Sequence, residues 1–193
     1  MAIPRNLANL APKLSATGGS FATTIGVGAA TPAASGAGIT FPASVSASSD
    51  PNTLDDYEEG TFSPIYEPES GSFTAQTVYG FTEGTYTRIG NICYISIQIA
   101  NNLMTKGAAS GGLFISGLPF NGSTQNWITG LSVTPNTWAG EKPLFGNVYT
   151  TGLRMALWYK ATSDGVVVQN LVSDLNDTTN GNYFQCSGVY RVA

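Results

Sequence analysis

The stretch GTYTRIGNICYISIQIA, residues 84–100, predicts how the larger part of the chain folds. Two runs rich in Thr, Tyr and Ile, 84–89 and 92–100, flank Gly90-Asn91, and a tight turn between two such runs is typical of a β-hairpin. In the second run apolar and polar residues alternate, which places every second side chain on the same face of the strand. The alternation predicts a half-buried strand that carries Cys93 into the core.

Similar short runs follow the hairpin and are separated by Gly, Pro and Asn. They predict strands at 112–116, 127–133, 144–149, 152–160, 165–172 and 183–192. Seven or more short strands joined by such turns favour an antiparallel β-sandwich or a jelly roll. The sequence therefore predicts an all-β head domain over residues 63–193.

The first 50 residues have a different composition. Ala, Ser, Gly and Thr make up 30 of them, and the one periodic feature is a helical spacing that predicts a short helix near 6–14, limited by Pro12. Such a segment buries too little to order alone, because fixing the backbone costs roughly 1–2 kcal/mol per residue. We interpret 1–50 as an extended arm that orders against a neighbour, and a flexible tail without a partner is the alternative. The candidate docking residues of the arm are its larger apolar side chains: Ile3, Leu7, Leu10, Leu14, Phe21 and Ile25.

Composition excludes several classes of function. The chain has 8 Lys and Arg, 12 Asp and Glu, no His and a net charge of −4, so it lacks the basic surface that binds nucleic acid. Without His, neither a Ser-His-Asp nor a Cys-His catalytic site can form, and two Cys alone do not make a usual zinc site. No apolar run approaches the ~20 residues of a membrane span, and residues 1–19 show no signal-peptide core. We expect synthesis in the cytoplasm, no catalysis, no cofactor or metal, no nucleic-acid partner and no membrane insertion.

Residues 51–62 form an acidic connector in which Asp55, Asp56, Glu58 and Glu59 surround Tyr57. Four close carboxylates can bind a hard cation such as Ca²⁺, but the spacing is not that of a calcium loop. A solvated face, pairing with cations of another copy and capping of a turn are the alternatives. Adjacent acids on a connector provide no wall for a sugar cleft, so they do not indicate a glycosidase.

The two Cys residues and three Trp residues complete the set of candidates. Cys93 and Cys186 both fall on predicted inward faces, so we expect reduced, buried thiols, with a disulfide as the alternative. Trp158 is expected in the core, whereas Trp138 lies in the turn-like run 134–143 and is expected to be exposed. The candidate surface-recognition residues are Asn136, Trp138 and Trp127.

Several segments resemble one family. TLDDYEEGTFSP (53–64) is similar to the TLDDYEEGTWTP signature of tailed-bacteriophage tail-fibre and related virion structural proteins, with Phe62 in place of Trp. GTYTRIGNICYISIQI (84–99) resembles the GxYTKIGNxVxV segment of the same proteins, and ISGLPF (115–120) and SGVYRVA (187–193) also match. NLANLAPKLSATGG (6–19) resembles their N-terminal anchor. The signature residues in this chain are Leu54, Asp55, Asp56, Tyr57, Glu58, Glu59 and Gly60.

The resemblance implies a virion component that assembles as an intertwined homotrimer. Its arm would dock on tail, baseplate or capsid proteins, and its head would bind a glycan or protein of the host surface. A short tail fibre is the function that this implies. Because the chain has no long shaft, a capsid head fibre or a decoration protein is the alternative, and a carbohydrate-cleaving spike is a minor one.

Overall fold

The computed structural model describes most of the predicted head and short pieces of the predicted arm. The described residues are 14–15, 18–19, 24–27, 30–33, 35–44, 48–50, 52–54, 56–124, 126–128, 137–161 and 165–193. The chain divides into two compact units, residues 1–57 and residues 58–193. The division falls inside the segment 51–62 that the sequence predicted as a connector.

The first unit contains four two-residue strands in its described part. They are β1 (Leu14–Ser15), β2 (Gly18–Gly19), β3 (Ile25–Gly26) and β4 (Ile39–Thr40). β1 and β2 pair antiparallel, whereas β3 and β4 pair in parallel. The predicted helix near 6–14 is wrong at its last residue, because the backbone of Leu14 pairs with Gly19 in a β-ladder. Residues 6–13 of that prediction lie outside the described residues.

The second unit consists of strands, turns and a single-turn 3₁₀ helix, Val172–Asp174, where the structure describes it. No helix in the described part of the chain is long and apolar enough to cross a membrane. The strands are β5 (Tyr57–Phe62), which begins at the boundary between the units, β6 (Ile65–Ser70), β7 (Ala75–Val78), β8 (Glu83–Ile89), β9 (Ile92–Thr105), β10 (Ser110–Ser116), β11 (Asn126–Ile128), β12 (Phe145–Val148), β13 (Arg154–Lys160), β14 (Val167–Gln169) and β15 (Thr178–Arg191).

These strands form two antiparallel sheets in a sandwich-like arrangement. The first sheet has the order β15-β9-β8-β5, with β7 also paired to β9. The second has the order β11-β12-β13-β10-β6, with β14 also paired to β13. The predicted all-β, antiparallel fold class is therefore confirmed.

The hairpin predicted over residues 84–100 is present. Ile89 pairs with Ile92 across the turn, and Gly90 has a φ of 56°, a left-handed conformation that glycine adopts without the steric penalty of a Cβ. Cys93 is fully buried, as the alternation predicted. The pairing continues to Glu83 and Gln98, so the hairpin provides two adjacent strands of the first sheet.

The core contains apolar side chains from both sheets. Burying one such side chain contributes about 1.5–3 kcal/mol, so the core provides a large share of the stability of the head. Its fully or almost fully buried members include Tyr66, Cys93, Ile95, Ile97, Ile99, Met104, Leu113, Ile115, Leu118, Met155, Leu157, Phe184, Cys186 and Tyr190.

Some predicted elements differ from the observed ones. The second half of the predicted connector is strand β5, so Glu58 and Glu59 lie within a sheet and not on a linker. The run 165–172 ends as a strand at Gln169, because the Asp174 carboxylate accepts a 2.9 Å hydrogen bond from the Leu171 N–H and holds the chain in the 3₁₀ turn. β6 and β7 were not predicted, and the run 127–133 is described only as far as Ile128.

Candidate functional site

The central strand β9 changes its neighbour partway along its length. Its first part pairs with β8 as far as Gln98, and its second part pairs with β7 from Asn101 onwards. Register shifts occur at this point on both sides, in the pairing with β7 and in the pairing with β15. Shifts of this kind redirect side chains and are frequent beside binding sites. Asn101 therefore lies where the ladder is irregular on both sides.

A short turn covers this end of β9. The Tyr79 N–H donates a 2.9 Å hydrogen bond to the Ala100 carbonyl, and the Thr82 N–H donates one of 2.9 Å to the Tyr79 carbonyl. The Ala100 N–H also donates to Thr82 Oγ1 at 3.1 Å. The turn is thus fixed against β9 by backbone and side-chain bonds. It presents two rings, Tyr79 and Phe81, which stack with centroids 5.1 Å apart and planes 9° from parallel.

A cleft of about 280 Å³ opens between this turn, β9 and β15. Aromatic rings, amides and backbone form its walls, and none of the residues that line it is Asp, Glu, Lys or Arg. Phe81 is 52% exposed, whereas Asn101 is fully buried and lies at the floor. The lining residues are Tyr79, Phe81, Ala100, Asn101, Thr137, Asn180, Gly181 and Tyr183.

The Asn101 amide is the unusual group in this cleft. Neither its Nδ2 nor its Oδ1 has a hydrogen-bond partner among the described residues, and leaving a buried polar group unpaired costs about 1–3 kcal/mol. Asn182, which is equally buried and one residue beyond Gly181, provides a contrast. Its Oδ1 accepts a 2.8 Å bond from the Asn176 N–H, and its Nδ2 donates a 2.9 Å bond to the Asn176 carbonyl. The fold therefore satisfies one buried asparagine and leaves the amide of the other without a partner among the described residues.

Trp138 is not the exposed aromatic that the sequence predicted. It is 7% exposed, its indole N–H donates a 3.1 Å hydrogen bond to the Tyr183 carbonyl, and its ring contacts Tyr66 edge-on at 5.9 Å. The large ring fits the space between the sheets, and the carbonyl of β15 satisfies its one polar atom. Trp138 thus supports the strand that forms a wall of the cleft, and its neighbour Thr137 lines the cleft.

The other predicted surface residues add little to this site. Asn136 and the side chain of Trp127 lie outside the described residues, although the backbone of Trp127 belongs to β11. Trp158, predicted as a core residue, is half-buried on β13. The cleft was not predicted from the sequence.

The acidic signature has a structural role at Glu58. The Tyr86 hydroxyl donates a 2.5 Å hydrogen bond to Glu58 Oε1, and this bond is the main reason why the pKa of Tyr86 rises to about 12. A Cβ on Gly60 would lie 2.9 Å from the Tyr86 ring, and a Cβ on Gly84 would lie 2.4 Å from the ring of Phe62. β5 and β8 therefore each place an aromatic ring over a glycine of the other strand.

The rest of the signature is dispersed. Leu54 is 57% exposed, Asp56 is buried, and the Tyr57 ring lies 6.3 Å from that of Phe41. Asp55 lies outside the described residues. Across the described part of the chain, no group of three or more Cys, Asp or Glu side chains is placed to hold a metal ion.

The predicted arm residues are described only in part. Leu14 belongs to β1, and Ile25 is a half-buried residue of β3 that pairs with Ile39. The remaining four lie outside the described residues: Ile3, Leu7, Leu10 and Phe21.

Both cysteines are free and buried. Burial raises the pKa of the Cys93 thiol to about 11 and raises that of Cys186 well above its ordinary value. The expected reduced thiols are present, and the alternative disulfide is not formed. Neither thiol is a ready nucleophile, because the reactive form is the thiolate.

A second cleft of about 310 Å³ adjoins the β9–β10 turn, but its two charged residues, Lys106 and Asp177, are already bonded. The Lys106 ammonium donates a 2.8 Å hydrogen bond to the Leu175 carbonyl, and the Lys106 N–H donates one of 2.5 Å to Asp177 Oδ1. The cleft around Asn101 is therefore the better candidate site.

The chain is similar to a known protein in three-dimensional structure. No protein-family model and no curated protein matches the chain. Among solved structures, the crystal structure of the Dettilon tailspike protein is similar, with a TM-score of 0.53 and 21% identity over 71% of this chain. The match covers 24% of that protein, so the matched part of this chain spans about a quarter of the tailspike's length. At this identity the likeness shows the fold: the all-β architecture described above is also found in part of a phage tailspike.

Proposed function

We propose that the chain is a non-enzymatic structural protein of a bacteriophage virion. More specifically, we propose that it is a short tail fibre. Its N-terminal arm docks on the particle, and its head binds the host surface. The observation that carries the proposal is the fold shared with the Dettilon tailspike protein over 71% of the chain. The TLDDYEEGTFSP signature at residues 53–64 supports the same assignment.

The head has a feature that suits a surface-binding role. The cleft beside Asn101 joins exposed aromatic area to an unpaired amide, and such a combination is common where proteins bind small polar ligands. Its position at a turn between strands of a stable sheet is also favourable, because a rigid scaffold holds the lining residues in place. Host recognition in this proposal uses the cleft and its neighbouring turns.

Homotrimer formation is part of the proposal and has a candidate surface. On one face of the first sheet, Ile89, Ile92, Tyr94 and Val189 are 39–52% exposed. Tyr94 lies opposite Val189 and Ile92 lies opposite Ile89 in the pairing, so the four residues form one apolar patch. Contiguous exposed apolar residues commonly mark an interface, and burial between copies would remove them from water.

The position of the protein in the particle tests the proposal. Purified virions of the phage that encodes the chain are labelled with an antibody raised against residues 58–193 and imaged by electron microscopy. Labelling of the tail or baseplate is expected. Labelling over the capsid would favour the head-fibre or decoration role instead, and unlabelled virions that also lack the chain by mass spectrometry would contradict any virion role.

The absence of catalysis is tested separately. Incubating the protein with capsular polysaccharide and lipopolysaccharide of the host is expected to release no oligosaccharide. Release that depends on the protein would contradict the non-enzymatic assignment and favour a carbohydrate-cleaving spike.

A further inference from the structure

We infer that the cleft beside Asn101 binds one neutral sugar ring, a hexose or an N-acetylhexosamine, through its aromatic turn and its buried amide. The inference deepens the proposed host-surface function and rests on it for the biological setting. The binding itself is a property of the isolated protein. Each part of the assignment comes from a different feature of the cleft.

The aromatic turn provides the first feature. Phe81 is 52% exposed, although it stacks on Tyr79, so the fold holds a large apolar ring at the surface in a fixed orientation. The hydrogen bonds of the turn to Ala100 keep that orientation without a ligand. A pyranose has an apolar face of C–H groups that packs well on such a ring, and a preordered ring loses little conformational freedom on binding.

The buried amide provides the second feature. Asn101 Nδ2 is a donor and Oδ1 an acceptor, and both lack partners among the described residues. Two neighbouring hydroxyls of a sugar ring offer one acceptor and one donor, which is the complementary pattern. A site with unpaired buried polar groups gains strongly from a ligand that pairs them and rejects one that does not.

The absence of charge provides the third feature. None of the eight lining residues is Asp, Glu, Lys or Arg, so a phosphate or carboxylate placed there would lose hydration without gaining a counter-charge. A neutral ligand does not pay this penalty. The volume of about 280 Å³ is just below the roughly 300–1,000 Å³ of small-molecule sites, which suits one sugar ring better than a chain of several.

Because Asn101 is fully buried, a ligand needs a local opening to reach it, and in this inference the opening is at Asn180. Its side chain accepts a hydrogen bond from the Tyr79 hydroxyl across the cleft, and Asn180 is itself exposed. Rotating the Asn180 side chain outward breaks that bond, and a sugar hydroxyl can replace it. A ligand therefore reaches the Asn101 amide through a small local change that leaves the strands in place.

The test is a titration of the purified full chain by saturation-transfer NMR. The probes are the methyl glycosides of glucose, galactose, mannose and N-acetylglucosamine, together with a methyl sialoside as an anionic sugar and adenosine as a planar aromatic compound. At least one neutral glycoside is expected to bind in the millimolar range or more tightly, and more tightly than the sialoside and adenosine do. Phe81→Ala and Asn101→Leu are each expected to weaken that binding by about tenfold or more, which is 1.4 kcal/mol. The matched control is Leu144→Ala, a similarly exposed apolar side chain (50%) that belongs neither to the cleft nor to the apolar patch of the first sheet, and it is expected to change the affinity by less than about twofold.

Three outcomes would overturn the inference: no neutral glycoside binds, the sialoside or adenosine binds more tightly than every neutral glycoside, or binding survives both cleft substitutions. Circular dichroism is used to confirm that each variant is folded, so that a loss of binding is not caused by unfolding. The proposed function fails in a different experiment. If the protein binds a glycoside but is absent from virions, this inference holds and the tail-fibre proposal fails. If the protein is on the tail but binds no glycoside, the tail-fibre proposal holds and this inference fails.

Discussion

The Tyr86 hydroxyl donates its hydrogen bond to Glu58 Oε1 at 2.5 Å, and this bond joins the acidic signature to the hairpin. Glu58 on β5 thus has a defined structural partner on the neighbouring strand β8. The bond also stabilises the protonated form of Tyr86, because ionisation would place a phenolate beside a carboxylate.

The first prediction concerns high pH. The pKa of Tyr86 is raised to about 12 from an ordinary value near 10. The stability that the Tyr86–Glu58 hydrogen bond contributes is therefore fully present below about pH 10 and is lost as the pH rises towards 12. Glu58→Gln removes the negative charge and should lower this pKa. Tyrosinate absorbance near 295 nm, followed during a pH titration of both proteins, should show one tyrosine that ionises earlier in the variant. Superimposable titration curves would contradict the role of Glu58.

The second prediction contrasts two buried asparagines. Asn101→Leu replaces an unpaired amide with an apolar side chain of similar size and should raise the free energy of unfolding by about 1–3 kcal/mol. Asn182→Leu removes two hydrogen bonds and places leucine at a φ of 51°, so it should lower stability by more than about 2 kcal/mol. Urea denaturation measures both changes. Equal destabilisation by the two substitutions would indicate that Asn101 has a structural role.

A third prediction concerns Trp138. Because the ring is buried between the sheets, Trp138→Ala should lower the free energy of unfolding by about 3–5 kcal/mol. Trp138→Phe retains most of the packing and loses the hydrogen bond to the Tyr183 carbonyl, so a smaller loss of about 1–3 kcal/mol is expected. Chemical denaturation followed by circular dichroism gives both values. Wild-type stability of the alanine variant would mean that the ring is not a core element in solution.

The fourth prediction concerns assembly. Sedimentation velocity should give a particle of three times the chain mass of 20.1 kDa, and Ile92→Glu should shift it towards the monomer, because a charge in the apolar patch loses its hydration when the copies associate. Thr151→Glu, an exposed substitution in the turn between β12 and β13 of the second sheet, is the control and should leave the mass unchanged. A stable wild-type monomer at micromolar concentration would remove the trimer from the proposal.

A fifth prediction separates the arm from the head. Deleting residues 1–50 should leave a folded protein with the thermal stability of the full chain, because residues 58–193 form a compact unit of their own. The shortened chain should fail to enter particles when it is supplied during infection in place of the full chain. Normal incorporation, measured by mass spectrometry of purified virions, would contradict a docking role for the arm.

The fold was predictable wherever one face of a strand is buried. The alternation from Cys93 to Ile99 identified the hairpin and the core face, because burial on one side imposes a period of two. β6 escaped prediction because its sequence, IYEPES, contains Pro68 and two acids and shows no such alternation. β5 was not predicted because its half-buried positions are Glu58, Gly60 and Phe62, which do not form an apolar alternation. These residues are held by contacts with Tyr86 and Gly84 on the neighbouring strand.

The candidate site was much less accessible to sequence reasoning. Trp138 was predicted to be exposed because it lies in the turn-like run 134–143. The composition of a turn does not determine whether a given side chain points to solvent or into the core, and Trp138 is buried. The Tyr79-Gly80-Phe81 turn was a usable signal, since two aromatics around a glycine are unusual between strands. The Asn101 amide was not predictable, because its isolation arises from register shifts with two different strands.

The reciprocal arrangement of rings and glycines on β5 and β8 also limits how this protein can diverge. Phe62 occupies the space that a side chain at Gly84 would need, and Tyr86 does the same at Gly60. A larger residue at either glycine therefore becomes acceptable only together with a smaller residue at its partner. In related sequences these four positions should vary as two linked pairs, so their joint substitution pattern would record the alignment of the two strands even where overall similarity has been lost.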